Sequence, residues 1–156
     1  MALGLVASLN RPGANLTGSA ILATEVSPKR LQLLREVMPN AAVFGVLADP
    51  AYPRTPSVIA DLQAAARALG LQLVVVNART DSDLEAAFET FSQQHVGAVL
   101  VGNGNFYSRR MEQLAALAAR HALPAMFPYR EYALAGGLMS YGSSFIPFPY
   151  QYDLAM

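Results

Sequence analysis

From residue 40 onward the chain alternates short, wholly apolar runs with segments whose apolar residues recur at helical spacing. The first run, Ala42-Val43-Phe44-Gly45-Val46-Leu47, shows no in/out alternation and closes at Asp49-Pro50. Residues 71–76, 98–101, 124–127 and 138–141 repeat the pattern. Strands this apolar are buried on both faces, as in a parallel sheet covered by helices on each side. Right-handed crossovers then favour a doubly wound sheet. The expected fold is a three-layer α/β lobe, a doubly wound parallel sheet of about five strands in the order 2-1-3-4-5.

The intervening segments carry helix signals. Thr55 is expected as an N-cap with Pro56 at the first helical position, and Val58, Ile59, Leu62, Ala65, Ala66 and Leu69 form the inward stripe before Gly70 stops the helix. A second helix is predicted to open at Ser82, with Glu85 completing a capping box and Leu84, Phe88 and Phe91 on one face. A third spans about 107–121, with Met111, Leu114, Ala115 and Ala118 inward. A helical turn at 129–134 leads to the Gly136-Gly137 break. Ahead of the first strand, Ser27-Pro28 predicts a helix over 28–38. Residues 1–20 read as the tail of another element plus a turn, 21–142 as the α/β lobe, and 143–156 as a truncated or irregular C-terminal segment.

Composition narrows the function classes. Hydrophobic residues make up 53% and charged residues 14% of the 156, which excludes a disordered chain. Eleven basic and eleven acidic residues cancel, leaving no electrostatic footprint for nucleic acid or an anionic membrane surface. The absence of cysteine excludes disulfides and thiolate chemistry. No apolar run approaches the roughly 20 residues of a membrane span, and the first residues lack the basic start of a signal peptide.

In an open parallel sheet, ligands sit beyond the carboxyl ends of the strands, where the strand order reverses. Two loops fall there, one carrying Asp49 and Tyr52 and one carrying Asn103, Asn105 and Phe106; the loop after the fourth strand adds Tyr129 and Glu131. The first two run into helix N-termini, which favour anionic groups. These seven are the candidate ligand-binding residues. Each has a structural reading as well: Asp49-Pro50 as a turn, Gly102-Asn103-Gly104-Asn105 as a loop needing positive φ, the tyrosines as cover for a sheet edge, and Arg130-Glu131 as a solvated pair. The glycines form neither a P-loop nor a GxGxxG fingerprint. His95 and His121 fall at helix ends outside any metal-binding spacing, no GxSxG elbow occurs, and the acid pairs lie on helix starts. The expectation is a binding protein with no reaction, cofactor or metal.

RPGANLTG, KRLQLLREVMPNAAVFGVLADPAYP, ALGLQL and LAARHALPAMFPYREYALAGGLMSYG together resemble the ABC transporter substrate-binding family related to tryptophan and tyrosine transport proteins, over roughly residues 4–145. The resemblance implies a type I periplasmic-binding fold, of which this chain holds one lobe, in a periplasmic or lipid-anchored receptor. It implies a small organic solute such as an amino acid, held in a cleft between lobes and delivered to a membrane permease. By the same resemblance, residues 11–18 lead out of a first lobe, 29–127 form the second, and 136–141 return. Asp49 (often Asn in the family), Asn103 and Tyr129 fall in the ligand loops. An isolated lobe would expose an apolar surface near Tyr52, Phe106 and Tyr129 and self-associate through it. The alternatives are a sensory domain of a regulator, which shares the two-lobed fold, and a nucleotide-binding enzyme domain.

Overall fold

In the computed structural model, which describes residues 23–142, eleven elements follow one another as α1 (Ala23–Val37), β1 (Val43–Ala48), α2 (Thr55–Ala68), β2 (Gln72–Asn77), α3 (Asp81–Gln93), β3 (Ala98–Val101), α4 (Asn105–Ser108), α5 (Met111–Arg120), β4 (Ala125–Phe127), α6 (Arg130–Leu134) and β5 (Met139–Ser140). The five strands form one sheet in the order β2-β1-β3-β4-β5, and every adjacent pair is parallel. The expected topology is therefore the observed one. The segments assigned to residues 1–20 and 143–156 lie outside the described residues.

Alternate residues of each strand feed separate cores, as the pleat requires. Phe44, Val46, Ala98, Leu100 and Met126 face one layer, with Leu31 and Leu34 of α1 and Leu62 and Ala66 of α2. Leu47, Val99, Val101, Ala125 and Phe127 face the other, with Leu84, Phe88 and Phe91 of α3 and Leu114, Leu117 and Ala118 of α5. Gly70, at φ +66°, ends the α2 region in the left-handed conformation expected of it.

Four local expectations are corrected. Pro28 lies inside α1, not at its start. Ser27, Arg30, Leu31 and Leu34, at i, i+3, i+4 and i+7, are all buried, so packing carries the helix through the proline despite the missing N–H. Arg54, not Thr55, is the N-cap of α2; the Thr55 hydroxyl instead donates to the Asp49 carbonyl at 2.6 Å. The capping box of α3 sits two residues early: Thr80 Oγ1 accepts from the Asp83 N–H, and Asp83 Oδ2 accepts from the Thr80 N–H. Two overlapping signals, Thr80…Asp83 and Ser82…Glu85, compete there, and the residue with extended backbone (φ −129°, ψ 165°) takes the cap. The long helix expected from 107 is two pieces, broken at Arg110 (φ −131°). On one side of the break Tyr107 plunges into the core and donates to the Ala78 carbonyl at 3.1 Å. On the other, Arg110 lies over the Phe106 ring and pairs with Asp81.

Candidate functional site

β1 and β3 are neighbours in register from Phe44↔Ala98 to Leu47↔Val101, so the loops that follow them leave the sheet side by side. The first is fastened by Asp49. Its Oδ1 accepts from the Ala51 N–H at 2.9 Å, and its carbonyl accepts from the Tyr52 N–H at 3.1 Å. Its carboxylate packs where a side chain on Gly104 would stand, so only glycine lets the second loop approach this closely. Asp49 is 4% exposed, with its carboxylate packed against Gly104 of the second loop.

Between the loops, under α1 and α2, lies a cavity of about 20 Å³ lined by the polar residues Ser27, Arg30, Asp49, Tyr52, Thr55 and Asn103 above a floor that includes Val46, Leu62 and Leu100. That is room for about one water or a group of similar size. Arg30 is 3% exposed. One terminal nitrogen donates to the Val101 carbonyl at a long 3.5 Å, and its Nε has no hydrogen-bond partner. Burial pulls the guanidinium down to about 10, opposed by the neighbouring hydroxyls of Tyr129 and Tyr52. Asn103 Oδ1 is likewise buried without a partner.

The structure brings Asp49, Tyr52 and Asn103 to one cavity. Tyr129, half-buried, approaches Arg30 and Tyr52 from the start of α6, its hydroxyl pKa raised by burial and by Tyr52. Its ring stacks at 6.4 Å on Tyr132, which stacks at 4.8 Å on Phe127. Glu131 is half-buried near the same hydroxyl. Asn105 and Phe106 do not join the cavity lining. Asn105 is exposed on α4, and the half-buried Phe106 carries the Arg110 guanidinium 3.9 Å from its centroid. The large exposed apolar side chains among the described residues are Val37, Leu69, Leu134, Leu138 and Tyr141, and Tyr52, Phe106 and Tyr129 are half-buried. His121 ends α5, its Nδ1 3.0 Å from the Ser92 hydroxyl.

Sequence reasoning missed Arg30 and Ser27. The signal was there: an arginine three residues after a serine, on the side of the helix that carries Leu31 and Leu34, sits where an apolar residue belongs.

A model of the ABC transporter substrate binding protein family matches residues 1–148. The chain belongs to that family. A conserved domain protein from Vibrio cholerae shares the fold at TM-score 0.74 and 24% identity, over 88% of this chain and 46% of that one. The ABC domain in complex with L-Trp from Streptococcus pneumoniae gives TM-score 0.71 and 19% identity, over 87% and 46%. A substrate binding protein with adhesive properties from Clostridium difficile, ligand-free and open, gives 0.69 and 21%, over 88% and 45%. No curated protein matches at a significant level. The chain spans about half the length of the solved structures it matches, as one lobe of this family's fold would. The site therefore sits where type I periplasmic-binding lobes end their central strands. Its lining offers donors, acceptors and one guanidinium, a set suited to holding a polar solute group.

Proposed function

We propose that the chain is a solute-binding lobe of an ABC-type uptake system. It holds a small organic solute, such as an amino acid, at the carboxyl edge of β1 and β3 against a second lobe. Closure of the two lobes then presents the solute to a membrane permease outside the cytoplasm, and no covalent step is involved. The observation that carries this reading is the meeting of Asp49, Tyr52, Asn103 and buried Arg30 in one cavity at the point where the strand order reverses. The family supports it, and so does the L-Trp complex of a protein of the same fold.

Asp49 serves as the fastener of the two loops, and Asn103 and Tyr129 as ligand contacts. No helix among the described residues is long and apolar enough to cross a membrane. The test is calorimetric titration of a two-lobed version with a panel of amino acids. Asn103→Ala should weaken binding by about 1–3 kcal/mol, the cost of an unpaired buried polar group, with little change in melting temperature. Unchanged affinity would remove Asn103 from the site, and a panel with no binder would remove the reading.

A further inference from the structure

Arg30 is the most buried charged side chain among the described residues, at 3% exposure against 4% for Asp49. Buried charge is retained where something pairs with it. Among the described residues nothing acidic does so: the ion pairs there are Arg110–Asp81 and Arg120–Glu85, both at the surface. Asp49 lines the same cavity, but its carboxylate is turned to the Ala51 N–H and the Gly104 backbone. What Arg30 has is one long bond to the Val101 carbonyl and two phenols nearby. Its Nε–H is unclaimed.

We propose that Arg30 is the seat of a carboxylate on the solute, in the cavity between the ends of β1 and β3. This rests on the solute-binding reading above and narrows it to a class of ligand. A guanidinium presents Nε–H and a terminal N–H as a parallel fork, and a carboxylate is the group whose two oxygens match it. The cavity, at about 20 Å³, takes an oxygen of the carboxylate and little more. The body of the solute therefore lies outside it, toward Tyr52 and Tyr129. Asn103 lines the same cavity and its Oδ1 is buried without a partner, an acceptor for an N–H of the same solute. The anion also removes the penalty of the buried charge, so binding and the electrostatics of the lobe are coupled through one side chain.

The seat can be read directly in the 156-residue chain. With arginine side chains labelled with nitrogen-15, the Arg30 Nε–H resonance, assigned by its loss in Arg30→Lys, is followed while sodium acetate is added. Acetamide, and sodium chloride at matched ionic strength, are the controls. A saturable shift with acetate alone is expected; no shift, an equal shift with acetamide, or a resonance already paired with an acid of the chain overturns the seat. Calorimetry of a two-lobed version then compares L-leucine and L-tryptophan with their amides. The acids should bind at least tenfold more tightly, and Arg30→Gln should remove that preference. Acids and amides binding alike, with Arg30→Gln unaffected, would sink the seat and leave the solute-binding reading intact. A saturable acetate shift with no solute binding in the two-lobed protein would sink that reading and leave the anion seat.

Discussion

Under α3 and α5 the sheet meets Leu84, Phe88, Phe91 and Leu114, each at 0% exposure, in a mainly apolar layer that also buries the hydroxyls of Tyr107 and Tyr132. Under α1 and α2 the same strands meet Leu31, Leu34 and Leu62, and then, toward the N-terminal end of α1, Ser27 and Arg30. The first layer is closed by apolar packing. The second ends in a cavity with a charge, an unpartnered amide oxygen and two fastened loops. The lobe thus differs by face: one side is packed mainly with apolar groups, and the other keeps a charge buried beside a polar cavity, which on the proposed reading a solute group occupies.

That division can be tested by unequal responses. Phe88→Ala should have the largest effect, about 3–5 kcal/mol of stability in denaturant unfolding, with solute affinity per folded molecule unchanged. Gly104→Ala drives a Cβ into the Asp49 carboxylate; about 1–3 kcal/mol is expected from overpacking, here accompanied by weaker binding. An effect on stability alone would mean that the loop junction and the cavity are independent. Thr80→Ala removes the α3 cap on the closed side and should cost about 1 kcal/mol, again without touching affinity.

Arg30→Met should change stability least, by less than about 1 kcal/mol and in the favourable direction, because it removes a desolvated charge. A loss as large as that of Phe88→Ala would erase the contrast between the faces. The pH dependence carries a sign. Burial lowers the folded-state pKa of Arg30 to about 10, so the unfolded chain binds more protons above that pH. The penalty on the native fold is full below about pH 10 and is relieved as pH rises through it. Melting temperatures of Arg30→Met and the parent, compared at pH 7 and pH 10.5, should therefore draw together at the higher pH.

How much of this was legible in the sequence follows the same division. The apolar layer was, because Leu84, Phe88 and Phe91 repeat at helical spacing and the strands are apolar throughout; order and parallelism then followed from crossover geometry. At the site, the loops chosen from the strand ends adjoin one cavity, where Asp49, Tyr52 and Asn103 meet. Arg30 was legible only indirectly and was missed, because a basic residue in a helix reads as solvated until the neighbouring stripe is traced through Pro28. Phe106 lies outside the cavity lining for a tertiary reason. Whether its ring faces the cleft or an arginine depends on the break at Arg110, which no local pattern announces.

β2 pairs on one side only among the described residues, with β1, and its sequence is Gln-Leu-Val-Val-Val-Asn, with neither charge nor proline. Its outer row of amide and carbonyl groups is a template for another extended chain, and its composition is that of segments that stack into cross-β fibrils. Charged or proline gatekeepers, the usual guard on such a border, are missing from the strand itself. Storage life of the folded lobe should therefore fall with concentration faster than its resistance to denaturant would suggest, and a lysine introduced at Gln72 should lengthen it without altering the melting temperature.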